Sequence, residues 1–253
     1  ELVWALFVSA AMFSEVVKQS HGHWSPDASH LVVATQNRVL VRESESLKLV
    51  QVYICIDRVE HLEWSHDSKY ILTRVARKQI LQVWSLDDGS FSCQIDEGLS
   101  GIVHARWCPF ARHVFLVAEF QLYLSVWKLE DRSAVRIRHP KFSNRGLAFS
   151  KNGLWVALLR RIDCRDRVGV YACADNYAQL SDFPIDLDCT DLTWTAGDTS
   201  LVMWEGPARS QFVWYSPRGE LLGQTDECAL LRCACPSPSA QQVAAGGLDG
   251  RVS

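Results

Sequence analysis

The chain has 253 residues, 48% of them hydrophobic and 22% charged, the balance of a globular protein with a sizeable core rather than of a disordered chain. Its formal charge of −3 leaves no broad positive field for phosphates or anionic lipid, so neither nucleic acid nor a membrane is an expected partner. Nine cysteines, an odd number without framework spacing, read as reduced thiols in a cytoplasmic setting rather than as a disulfide scaffold.

At the N-terminus the apolar run Leu2–Ala11 is too short to span a bilayer and lacks the basic flank of a signal peptide. Residues 1–11 are therefore read as an N-terminal extension outside the fold, and residues 12–253 as the folded domain. The segment Phe13–Lys18 has the composition of a strand ahead of the first repeat, suited to completing the last sheet of a closed ring. His21-Gly22-His23 offers two imidazoles without a third ligand nearby, so a structural or solvent-facing role is expected and no metal. Cys233-Ala234-Cys235 likewise lacks a matching pair at zinc-ligand spacing.

From Trp24 onward an aromatic followed by a polar turn recurs along the chain. The anchors are Trp24, Trp64, Trp107, Phe149, Trp194 and, in the last repeat, Cys235, separated by 40, 43, 42, 45 and 41 residues. That period suits a four-stranded propeller blade and not a helical solenoid. Turns such as Ser25-Pro26-Asp27 and Lys151-Asn152-Gly153 follow the anchors, supplying the φ preferences that tight turns require. After each turn comes an apolar segment: HLVVAT, YILTRV, VFLVAE, WVALLR, LVMWEG and QVAAGG. Their near-continuous apolarity predicts inner strands covered on both faces. About twenty residues past each anchor a second aromatic marks a third strand, Trp84, Trp127, Tyr171 and Trp214, with Arg42 as the exception in the first repeat. A more variable stretch then leads to an outer strand, as in LDDGSFSCQID, and no segment has the caps and length of a helix.

The expected fold is all-β, a β-propeller with five full blades and part of a sixth, truncated at the C-terminus after Ser253. A propeller manages its sheet edges by closing the ring, so the natural protein is expected to continue with at least one or two more blades.

The pattern "aromatic, turn, apolar strand, turn, x-V-W" over residues 24–253 resembles the WD-repeat propellers. The signature Asp after the final Trp is replaced by Ser85 and Lys128, and Gly-His pairs are missing at their usual offset. The blades are therefore expected to lack the polar network that the family pattern supplies, leaving the ten tryptophans to carry more of the stability. More locally, MFSEVVK at 12–18, HLEWSHDSKYIL at 61–72, LQVWSLDDGSFSCQIDEGLSGIV at 81–103 and RRIDCRDRVGVY at 160–171 are similar to the family of WD repeat-containing protein 8. The D-E-G-x-x-G-x-V and R-x-D-C-x-D elements carry that likeness, because neither is a general propeller feature. The resemblance implies a non-enzymatic cytoplasmic scaffold at spindle poles and centrosomes. In that family the scaffold joins a coiled-coil anchoring protein, tethers microtubule minus ends, supports spindle assembly and cilium formation, and in some relatives works with a minus-end-directed kinesin.

Function on a propeller is expected in the connections presented by its rigid frame. One connection stands out, that between the second and third strands of the fourth repeat, where Arg160, Arg161, Asp163, Arg165, Asp166 and Arg167 crowd together. Planar arginine donors suit acidic partner segments, while the plainer reading is an internally paired hairpin, since exposed ion pairs signify little by themselves. Asp186 and Asp188 in PIDLDCTD read as ordinary loop polarity rather than as a paired acid and base. No nucleophile elbow or phosphate-binding loop occurs, so neither a catalytic residue nor a cofactor is expected. Competing readings are a propeller subunit of a ubiquitin-ligase or RNA-processing complex and, more remotely, a propeller enzyme, because fold alone does not separate them.

Overall fold

In the computed structural model the described residues are 3–4, 17–18, 21–76, 80–120, 122–206, 211–226, 231–237 and 242–247. A short antiparallel pair comes first, β1 (Val3–Trp4) with β2 (Val17–Lys18). The rest of the segment expected to complete a sheet lies outside the described residues. Five four-stranded antiparallel meanders follow. The first is β3 (His21–Trp24), β4 (His30–Thr35), β5 (Arg38–Glu43) and β6 (Leu49–Ile54), and the second is β7 (Val59–Trp64), β8 (Tyr70–Val75), β9 (Leu81–Ser85) and β10 (Ser92–Ile95). The third is β11 (Ile102–Trp107), β12 (His113–Ala118), β13 (Tyr123–Lys128) and β14 (Ala134–Arg138), and the fourth is β15 (Leu147–Phe149), β16 (Trp155–Ile162), β17 (Arg165–Ala172) and β18 (Ala178–Ile185). The fifth is β19 (Cys189–Trp194), β20 (Leu201–Glu205), β21 (Gln211–Tyr215) and β22 (Leu221–Asp226), after which β23 (Leu231–Pro236) pairs with β24 (Val243–Gly247). No α-helix occurs among the described residues; one 3₁₀ turn spans Gly98–Ser100.

The strands form where the repeat places them because successive side chains point to opposite faces, and each inner strand has a neighbour on both sides. In β8, Ile71 packs into a core with Val32, Val39 and Tyr53, while Leu72 packs into another with Ile102, Val114 and Leu116. That two-sided burial accounts for the loss of polar alternation. Four first strands share an irregularity that β3 and β15 lack: the register slips by one residue between Val59 and His61, Ile102 and His104, Cys189 and Asp191, and Leu231 and Cys233. A bulge at one position of the repeat increases the local twist of the sheets that carry it.

The chain divides into two compact units, residues 1–120 with 126–134 and residues 121–125 with 135–253, a division that runs through the third sheet. In the first unit the cores lie between sheets one and two and between sheet two and the inner strands of sheet three. In the second, Leu159, Val168, Phe183, Leu192, Trp194 and Met203 form the core between sheets four and five.

Within each unit the anchor tryptophans do more than fill space. The indole N–H of Trp64 donates to the carbonyl of His23 at 3.1 Å, that of Trp107 to Glu63 at 3.3 Å, and that of Trp194 to Ala148 at 3.0 Å. Every acceptor immediately precedes the anchor of the preceding sheet. Phe149 carries no ring N–H and cannot repeat the device.

The polar network expected to be missing is the one that the family pattern supplies; the blades carry another, which sits in the turn after the anchor rather than after the third-strand aromatic. Ser25 Oγ donates to Asp27 Oδ1 at 2.6 Å and accepts from His30 N at 2.9 Å; Ser65 does the same with Asp67 and Tyr70, and Ser150 with Asn152 and Trp155. Neighbouring turns are then tied together: Asp27 N donates to Ser68 Oγ at 3.1 Å, Arg112 Nε to Asp67 Oδ2 at 2.8 Å, and the amides of Lys151 and Asn152 to Asp198 at 2.7 and 2.9 Å. Burying hydroxyls and carboxylates is tolerable only because each is so occupied.

Candidate partner-binding site

The crowded arginines of the fourth sheet lie mostly in strands, which corrects their placement in a connection. Arg160 and Arg161 belong to β16, and Arg165, Asp166 and Arg167 to β17; the register closes at Ile162 opposite Arg165. The connection proper is Asp163-Cys164, both left-handed at φ 50° and 61°, the two-residue turn whose twist matches a hairpin. At eight residues each, these strands and β18 exceed those of the other sheets, so the hairpin reaches beyond the repeat.

Its extended root is gripped by the segment before β15. Pro140 bridges to Arg160, Arg161 N donates to His139 O at 3.0 Å, and Lys141 N to Leu159 O at 2.9 Å. This lays Lys141 over the hairpin with its side chain 4% exposed. Its ammonium has three protons and meets three acceptors: Asp166 Oδ2 at 2.5 Å, Asp188 Oδ1 at 2.6 Å and the Cys189 carbonyl at 2.6 Å. Asp166, 2% exposed, also accepts from Cys189 N at 2.9 Å. Its other oxygen lies 3.3 Å from Arg161 Nε without hydrogen-bond geometry, an ion pair held by charge alone.

A second network shares the hairpin. Arg167 Nε donates to Asp182 Oδ2 at 3.1 Å, and Arg160 approaches Asp182 Oδ1 at 3.4 Å while donating from Nε to the Arg138 carbonyl at 3.0 Å. Of the six residues singled out by sequence, Arg160 and Asp166 are thus buried, Arg161 and Arg167 are ion-paired, and Asp163 and Arg165 are exposed at the tip. Lys141 and Asp182 were missed, because partners 15 to 25 residues away along the chain leave no mark in local spacing.

The electrostatics follow from these contacts. The hydrogen bond from Lys141 holds the Asp188 carboxyl below its ordinary range; burial opposes it, and the charges of Lys141 and Arg161 add to the lowering. Burial pushes the Cys189 thiol far up, so it stays protonated. Lys141 has no free donor, and Asp188 is engaged by Lys141 and Arg161. What remains available is a surface. Arg161 (47% exposed) and Asp188 (65%) border a shallow cleft of about 350 Å³ with Cys164, Arg165, Asp186 and Leu187. Mixed charge held on a rigid hairpin suits protein recognition better than chemistry. Among the described residues no group of three or more potential metal ligands is gathered.

The other family-like element is also structural. Gly98 and Gly101 of DEGLSGIV have φ of 65° and 57°, and Glu97 accepts the indole N–H of Trp127 at 3.0 Å.

No family model matches the chain. It is 36% identical over 248 residues to the mouse protein WD repeat-containing protein WRAP73, covering 95% of this chain and 53% of that one; the chain thus spans about half the length of the curated relative it matches. Among solved structures it superposes on a chain of the mitotic checkpoint complex with a TM-score of 0.60 (12% identity, 90% of this chain, 70% of that one). It also superposes on the dihydro-heme d1 dehydrogenase NirN with a TM-score of 0.63 (12% identity, 92% and 52%). At such identity the structural likenesses concern fold alone. With five repeated four-stranded meanders and a WD-repeat relative matched along 95% of this chain, the chain has the fold of the WD-repeat β-propellers.

Proposed function

We propose that this chain is the propeller portion of a non-enzymatic protein-interaction scaffold of the WD repeat-containing protein 8 kind, WRAP73 being another name of that protein. In this reading it works in the cytoplasm at the centrosome and spindle pole. It joins a coiled-coil anchoring protein, and in some settings a minus-end-directed kinesin, to hold microtubule minus ends and support spindle assembly and ciliogenesis. The observation that carries the reading is the 36% identity to a WD repeat-containing protein along 95% of the chain. It is supported by a hairpin whose ionisable groups are occupied with one another rather than poised for chemistry. The likeness to a dehydrogenase, at 12% identity, is one of fold alone.

Affinity capture and imaging of the tagged full-length protein in dividing cells test the proposal. Spindle-pole localisation with recovery of a coiled-coil pole component is expected. Recovery of cullin adaptors or RNA-processing factors without a pole signal would point to another machine. Replacing exposed Arg161 and Arg165 by alanine is expected to weaken capture at least about tenfold if the hairpin is the contact; undiminished capture would move the contact elsewhere.

A further inference from the structure

The outer strands of sheets one, two and four each place one side chain at the same position against the next sheet. Register identifies them as Tyr53 opposite Val39, Ile95 opposite Leu81 and Phe183 opposite Val168. Tyr53 lies on the Trp84 ring with centroids 5.2 Å and planes 27° apart, and Phe183 lies on Tyr215 at 5.4 Å and 28°. Ile95 has no ring to offer. Beside it opens a cleft of about 370 Å³, lined among others by Phe91, Cys93, Ile95, Trp127, Lys128 and Arg132.

Trp127 closes the same L-x-V-W sequence in its sheet that Trp84 closes in the sheet before. Its half-buried ring is pinned by the bond to Glu97, so the cleft keeps a fixed aromatic wall. The charged residues lining the cleft are the cations Lys128 and Arg132, with no carboxylate among the lining, while Asp131 lies within the field of Lys128 and Glu97 is engaged by Trp127. One wall is β10, the edge of its sheet in the order β10-β9-β8-β7, and a sheet edge offers unpaired backbone groups to an extended chain.

The geometry points to a docking site for an extended acidic peptide segment that carries an aromatic side chain. The ring enters the cleft onto Trp127, as Tyr53 lies on Trp84, and the flanking carboxylates meet Lys128 and Arg132. Tilted or offset stacking on a fixed indole selects for aromatic over aliphatic occupants, and the two cations reject a basic segment. This site is separate from the hairpin of sheet four and stands whether or not that hairpin binds anything.

The test is fluorescence anisotropy on the full chain with three labelled heptapeptides: DEDFEDE, its alanine counterpart DEDAEDE and the basic KKKFKKK. Saturable binding of DEDFEDE below about 1 mM is expected, with both counterparts at least about tenfold weaker. Ile95→Tyr, which fills the cleft as Tyr53 does in the first sheet, and Arg132→Glu on an exposed turn should each weaken DEDFEDE about tenfold or more, whereas Arg165→Ala should leave it unchanged. Bound DEDFEDE should also slow alkylation of Cys93 and not of exposed Cys164. No saturable binding, equal binding of DEDFEDE and DEDAEDE, or full affinity in Arg132→Glu would overturn the proposal, and the last of these outcomes does so even if Ile95→Tyr fails to fold.

Discussion

Single side chains in the turns decide much of the local stability. Ser65 is fully buried, and its hydroxyl both donates to Asp67 and accepts from Tyr70 N. Ser65→Ala leaves that amide and carboxylate short of a partner, so a loss of about 1–3 kcal/mol is expected in urea unfolding; an unchanged midpoint would show that water replaces the hydroxyl. Four of the turns after an anchor carry a left-handed residue at the same place, Ala28, Ser68, Gly153 and Asp198, and Gly219 is left-handed in the turn between β21 and β22. Gly219 is the most constrained, at φ 93° with a Cβ position only 2.6 Å from the Phe183 ring. Gly219→Ala should cost about 2–4 kcal/mol, backbone strain adding to a clash with a stacked ring. A loss under about 1 kcal/mol in the same assay would mean that the ring yields. The S-x-D and S-x-N spacing after the anchor was visible in the sequence; that polar side chains of these turns tie neighbouring sheets together was not, because those bonds span 41 to 47 residues.

At the scale of elements, the hairpin β16–β17 owes its fixed position to one buried lysine. Lys141→Met leaves the Asp166 carboxylate buried with only Arg161 nearby, and a loss of about 3–5 kcal/mol is expected. Adding Asp166→Asn, which keeps an acceptor for Cys189 N and discards the charge, should restore more than half of it. A double variant no more stable than the single one would show that packing, not charge, is at stake. Asp188 makes the same network pH-dependent. Its carboxyl titrates below the ordinary value of 3.8 in the folded protein, so its contribution is full above that value and is lost as the pH falls through the lowered one. Asp188→Asn should therefore be less stable than the parent at pH 6 and approach it in acid. A gap that persists to pH 2 would assign the effect to something other than ionisation.

At the scale of the whole molecule, each unit is held by sheet-to-sheet contacts of its own, and in repeat architectures destabilising one repeat is felt first by its neighbours. The cores of residues 21–120 and 135–253 draw on different sheets. In Lys141→Met, amide hydrogen exchange should quicken first in β15–β20 while β4, β5, β8 and β9 keep their protection. A uniform acceleration across all sheets would instead mark the chain as one cooperative unit.

The amino-acid sequence alone determined the repeat, its period, the strand order within each sheet and the all-β class, because anchor, turn and two-sided apolar strand are local signals spaced along one repeat. Strand β4, for instance, coincides with the segment HLVVAT read from sequence. Only the tertiary structure decided which charges of the fourth sheet are buried, that Lys141 rather than an arginine is the hub, and that Ile95 leaves a cleft over Trp127 where Tyr53 and Phe183 cover their neighbours. Those outcomes depend on side chains from strands tens of residues apart meeting across a sheet interface, where geometry and desolvation, not spacing, choose the partner.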